Sequence, residues 1–89
     1  MLSPSLITRV LTRYESNLER TDEIEHLSDR EVRLLAAVGR GLSNDQIAEE
    51  LELSPSTVKS YVSRLLTRVG ARDRAQLVVL AHRTGIVTL

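Results

Sequence analysis

Apolar residues along the chain recur at helical spacing, and no alternating apolar run is long enough for a strand. Near the start, Leu6, Ile7, Val10, Leu11, Tyr14 and Leu18 follow one another at three- and four-residue steps, which predicts one apolar stripe on a helix of about fifteen residues. Ser3 and Pro4 supply its start, serine as the cap and proline at the first helical position, where a missing N–H is not needed. Thr21 to Glu25 is acidic and nearly aperiodic, and reads as a linker to a compact remainder.

That remainder uses one device three times. A leucine precedes a capping serine, and a branched apolar residue follows five positions after the leucine, the arrangement of a hydrophobic staple. The pairs are Leu27 with Val32 around Ser28, Leu42 with Ile47 around Ser43, and Leu53 with Val58 around Ser54. The first two also carry the capping-box partner, Glu31 and Gln46, whereas the third has Pro55 at its first helical position. A fourth start is expected at Asp73. Gly39-Arg40-Gly41, Gly70 and Gly85 mark stops, as expected where a helix ends in a left-handed residue. The expectation is an all-α fold, with four short helices from residue 27 onward preceded by an N-terminal linker helix. The domain boundaries follow as 1–22 for the linker helix and 23–89 for the compact part.

Between Ser43 and Val69 the spacing is that of a helix-turn-helix: a helix of about nine residues, a turn of three or four, then a longer helix. Ala48 is small enough to let the two helices cross closely, with Ile47, Leu51, Leu53, Val58 and Val62 to lock the crossing. At 100 degrees per step the longer helix, from about Ser54 to Val69, divides into three stripes. Val58, Val62, Leu65, Leu66 and Val69 form a core stripe. Opposite them stand Ser56, Lys59, Ser60, Ser63 and Thr67, with no acidic and no large apolar residue among them. Short hydroxyls approach base edges closely, and a lysine reaches a guanine O6/N7 pair, so this face suits the major groove of double-stranded DNA. Thr57, Arg64 and Arg68 form the third stripe, placed for flanking phosphates, with Tyr61 at its core-side edge as either a core residue or a phosphate contact.

Charge changes the picture only when it is divided along the chain. The formal net charge is zero, but residues 1–53 carry six arginines against eleven carboxylates, while residues 54–89 carry six Lys or Arg against Asp73 alone. The second half therefore suits phosphate. With 89 residues the chain holds one modest core and is too short for a catalytic domain with its own cleft. It shows no nucleophilic triad, paired-carboxylate setting, glycine-rich phosphate loop or metal-spaced cluster, so no enzyme is expected and no cofactor or metal is implied. Cysteine is absent, which excludes disulfides and thiolate chemistry. No apolar run approaches the roughly 20 residues needed to cross a bilayer, and no secretory signal opens the chain, so the expectation is a cytoplasmic protein without a membrane partner.

The run Leu27-Ser28-Asp29-Arg30-Glu31-Val32, Gly41-Leu42-Ser43-Asn44-Asp45-Gln46-Ile47-Ala48, and Ser56-Thr57-Val58-Lys59-Ser60-Tyr61-Val62 closely resembles the LuxR-type DNA-binding domain. The likeness continues through Gly70-Ala71-Arg72-Asp73-Arg74-Ala75-Gln76 to Gly85-Ile86-Val87. The resemblance implies a four-helix domain whose third helix reads DNA, with Lys59 and Ser60 at base-contacting positions, and whose last helix mediates dimerisation. The first 22 residues resemble the connector behind the receiver domain in NarL/FixJ-type two-component response regulators. The resemblance therefore implies the effector domain of a longer transcriptional regulator whose receiver, with its phosphoacceptor, is missing from this chain. Departures from the pattern are Glu52 at a turn position that is often glycine, Tyr61 where histidine is frequent, and serines at 56, 60 and 63 where longer side chains are common. The short serines shift weight from base readout toward DNA shape.

The last helix, Asp73 to Thr84, is apolar around nearly its whole circumference, with Leu77, Leu80 and Ala81 on one side and Ala75, Val78 and Val79 on the other. So small a domain cannot bury both sides at home. Ala75, Val78, Val79 and His82 are accordingly the candidate homodimer interface, which would set two reading helices on neighbouring half-sites. The N-terminal stripe competes for apolar surface: it can cover the domain, swap between chains or pack on a receiver. The alternative function is a protein-interaction module, either an anti-activator or a sigma-factor-like domain contacting RNA polymerase.

Overall fold

A computed structural model describes residues 3–14 and 23–88. The described residues form five α-helices, α1 (Pro4–Tyr14), α2 (Asp29–Gly39), α3 (Asn44–Leu51), α4 (Pro55–Val69) and α5 (Arg74–Arg83), with a 3-10 turn at Glu23–His26 ahead of α2. No strand occurs among them.

The helix starts lie where the serines place them. Ser28 and Ser43 each accept from the backbone N–H three residues on, while the Glu31 and Gln46 side chains accept in return from the capping residue's own N–H. Ser54 caps α4 with Pro55 in the first turn, and the Asp73 side chain accepts from the Gln76 amide to start α5. Each such cap is worth about 1 kcal/mol. The apolar stripe of the first helix ends within the described residues at Tyr14; Leu18 and the Thr21-Asp22 part of the expected linker lie outside them. Glu23 to Glu25 of the expected linker belong instead to a 3-10 turn, Glu23–His26, whose Ile24 packs against the core.

The core is contributed by every helix. Leu34, Leu35 and Val38 of α2, Ile47 of α3, Val58 and Leu65 of α4 and Leu77 of α5 are all essentially sealed from solvent, each worth about 1.5–3 kcal/mol in transfer from water. α2 packs most extensively on α5, and α3 packs on α4 with Ala48 buried. The glycines at the end of α2 divide their work. Gly41 is left-handed, with φ of 83°, whereas Gly39 is the last helical residue and serves close approach: a Cβ there would meet Ala81 Cβ at 2.5 Å and Val87 Cγ2 at 2.9 Å. Sequence alone expects Gly39 as part of a stop; its neighbours show that packing against α5 and the following segment is the reason for it.

α1 lies on α5. Ile7 is 5% exposed and joins the core, with Val10 and Leu11 packed beside it. No helix among the described residues is long and apolar enough to cross a membrane.

Candidate nucleic-acid interface

The geometry of α4 follows from how its two ends are held. α3 closes on Glu52, whose backbone is left-handed at φ 57° and ψ 47°, and the Leu53 amide then donates to the Ala48 carbonyl at 2.9 Å. The next residue, Ser54, accepts from the Thr57 amide at 3.2 Å and donates to the Thr57 hydroxyl at 2.8 Å. A three-residue turn thus separates the helices. Behind α4, Val58, Val62, Leu65 and Val69 are buried, while Leu66 and Tyr61 are half-buried.

Because that side is anchored, the opposite side faces out. Ser56, Lys59, Ser60, Ser63 and Thr67 are all exposed. Ser56 shares a hydrogen bond with the capping Ser54 at 3.2 Å, and Thr67 donates back to the Ser63 carbonyl at 3.4 Å. Among the described residues Lys59, Ser60 and the Ser63 hydroxyl have no intramolecular hydrogen-bond partner, so their donors and acceptors face solvent. Thr57 is half-buried and its hydroxyl serves the cap, which draws it away from the open face. The face is rich in short polar groups around one cation and carries no carboxylate.

The third stripe is less uniform than its spacing suggests. Arg64 is exposed, with its guanidinium carbon 5.9 Å from the Tyr61 ring centre. Arg68 also reaches solvent but has partners inside the molecule: Nε lies 3.2 Å from Glu31 Oε2, and Nη2 donates to the His26 carbonyl at 2.5 Å. Arg68 therefore ties α4 to the 3-10 turn and to the cap of α2. Tyr61 has a half-buried ring packed beside the core, and its hydroxyl accepts from Arg30 Nη1 at 2.9 Å.

One arginine outside the expected set supports the helix pair. Arg74 donates from Nη1 to Asn44 Oδ1 at 2.7 Å and from Nη2 to the Leu42 carbonyl at 2.6 Å, joining the start of α5 to the start of α3. Burial holds its pKa below the ordinary arginine value, since desolvation disfavours the charged form.

Of the residues expected at a dimer face, Val78 and Val79 are each 2% exposed, and Ala75 and His82 are half-buried. α1 is what covers them. Val10 borders a cleft of about 350 Å³ together with Ala75 and Val78, and Leu11 borders one of about 210 Å³ with Val79 and His82. The His82 Nε2 atom is 2.8 Å from the Gly39 carbonyl oxygen. The second side of α5 is thus buried within one chain, by a helix with one cleft beside Val10 and another beside Leu11.

Residues 25–81 match the bacterial regulatory proteins of the luxR family. The chain is 32% identical over 94 residues to the transcriptional regulatory protein LnrK of Bacillus subtilis, covering 97% of the chain and 43% of that relative. It is 44% identical over 63 residues to the DNA-binding transcriptional activator DevR/DosR of Mycobacterium tuberculosis, covering 71% of the chain and 29% of the relative. With the response regulator protein VraR of Staphylococcus aureus the identity is 30% over 79 residues, 88% of the chain and 38% of the relative. The chain spans less than half the length of each of these relatives.

Proposed function

The chain belongs to the luxR family of bacterial regulatory proteins, and on that premise we propose that it binds double-stranded DNA as a transcriptional regulator, with α4 in the major groove. The observation that carries this reading is the sidedness of α4: valines and leucines buried behind, an exposed, acid-free surface of hydroxyls around Lys59 in front. Lys59 is the group able to reach a guanine edge, with Ser60 and Ser63 close enough to the helix axis to meet bases or their bridging waters. Arg64 supplies a flanking phosphate contact. Arg68 adds to the field there while its donors remain engaged with Glu31 and His26.

In the longer regulator, α1 connects this domain to a receiver of the response-regulator kind, and the protein acts in the cytoplasm. Pairing of two copies through Ala75, Val78, Val79 and His82 requires α1 to leave its place on α5, because the two valines are sealed beneath it. Dimerisation is then an exchange of one apolar cover for another, a population shift that a signal acting on α1 can bias.

The test is fluorescence anisotropy of labelled duplexes titrated with protein at several salt concentrations. Binding should weaken linearly in log–log form as salt rises, because neutralised phosphates release counterions. Lys59→Ala should cost roughly 1–3 kcal/mol on a selected site and far less on random sequence. Weak binding with little salt dependence would favour a protein-interaction module instead.

A further inference from the structure

We propose that Arg30, at the start of α2, is a contact to the DNA backbone, and that Arg30, Tyr61 and Arg64 act together as one clamp on a phosphate beside the groove that α4 occupies. The proposal rests on the DNA-binding reading of α4 and adds to that interface a second helix and a residue from the acidic half of the chain.

The geometry brings the two arginines to one phenol. Arg30 Nη1 donates to Tyr61 Oη at 2.9 Å, with the Arg30 guanidinium carbon 5.5 Å from the ring centre and that of Arg64 5.9 Å from it. With Glu31 and Leu34 they line a cleft of about 220 Å³. Arg64 also borders the open surface formed by Ser63, Thr67 and Arg68, so the cleft adjoins the outward face of α4.

Charge shows what the cleft suits. Two cations gathered on one ring repel each other, and among the described residues neither has a carboxylate within 4 Å. The acid on the cleft, Glu31, is committed elsewhere: its carboxylate pairs with Arg68 at 3.2 Å and accepts from the Ser28 amide at 2.9 Å. The cleft therefore holds an excess of positive charge, which an anion relieves. Arginine presents a planar fork matched to phosphate oxygens. The Tyr61 phenol takes up one Arg30 donor and leaves the rest of the guanidinium fork for an anion. Tyr61 also holds Arg30 in place before DNA arrives, which lowers the ordering cost paid on binding.

Tyr61 is on this account a positioning residue and Arg30 a phosphate ligand. The test is the salt titration of the full chain, using a short random-sequence duplex as probe. Arg30→Ala should weaken binding several-fold and reduce the slope of log affinity against log salt by about 0.9, the value of one lost phosphate contact. Arg30→Lys should keep the slope, since it keeps the charge. Tyr61→Phe keeps the ring and removes the acceptor; it should weaken binding in the wild-type background and have little further effect once Arg30 is alanine, because the two act as a unit. Thermal melts establish that each variant is folded, and Arg30→Gln serves in place of Arg30→Ala should the alanine variant melt early. An unchanged slope in a folded Arg30→Ala or Arg30→Gln variant overturns the clamp while leaving α4 as the reading helix. If the unaltered chain shows no salt-dependent binding, the DNA reading falls and the clamp with it.

Discussion

Glu52 is the left-handed residue that closes α3, at φ 57° and ψ 47°. The ends of α2 and α4 close in the same manner on Gly41 and Gly70, at φ 83° and 71°, each with the following amide reaching back five residues: Leu42 to Ala37, Leu53 to Ala48 and Ala71 to Leu66. Only at Glu52 does a Cβ crowd the next carbonyl, at a cost of about 1–2 kcal/mol. Its carboxylate also stands at the negative end of α3, worth about 0.3 kcal/mol at an exposed site. Glycine removes both penalties but gives back about 0.5–1 kcal/mol in chain entropy. Taking the middle of each range, Glu52→Gly should therefore stabilise the domain by about 1 kcal/mol, which for a chain of this size raises the melting midpoint by about 4–8 °C. Thermal and urea unfolding followed by circular dichroism measure it. Glu52→Ala is the control: it removes the charge and keeps the Cβ, so its gain should stay near 0.3 kcal/mol. A glycine variant no more stable than the alanine variant would refute the reasoning, because backbone strain would then be no larger than the chain entropy that glycine gives back.

Three further outcomes follow from the packing. Gly39→Ala places a methyl 2.5 Å from Ala81 Cβ, between two packed elements with no room to give, and should destabilise by about 1–3 kcal/mol in urea unfolding; a neutral result would mean α2 and α5 are not in close contact. Arg74→Met leaves the Asn44 side chain and the Leu42 carbonyl without their donors and should cost about 1–3 kcal/mol. In Ile7→Asp, a charge replaces a side chain 5% exposed beneath α1, so α1 should leave α5 and sedimentation should show concentration-dependent dimers; a strictly monomeric, fully folded variant would contradict pairing through α5.

The parts of the fold legible in the sequence are those decided within a few residues. Ser28, Ser43, Ser54 and Asp73 cap helices because a hydroxyl or carboxylate next to an amide two or three residues on needs no tertiary partner. The division of α4 into buried and exposed stripes is likewise set by helical period alone. What could not be read is contact between distant segments. Arg68 and His26 are 42 residues apart, Arg30 and Tyr61 are 31, and Arg74 and Asn44 are 30. A spacing rule sees Arg68 as one more outward cation and Arg30 as one more charge in an acidic stretch. Gly39 carries the same lesson, since proximity to Gly41 suggests a turn while its hydrogen-for-methyl economy is visible only once Ala81 and Val87 lie against it. Apolar residues all around α5 signalled a second partner but not which one, and within the chain α1 takes that place.

The most direct measurement is a 15N-edited NMR titration of the chain with a duplex, following backbone amides residue by residue. If the outward face of α4 reads DNA, the largest shifts fall between Ser56 and Thr67, centred on Lys59, Ser60 and Ser63, and fade as salt is raised. Shifts concentrated on α1 and α5, with α4 unmoved at saturating duplex, would contradict the account.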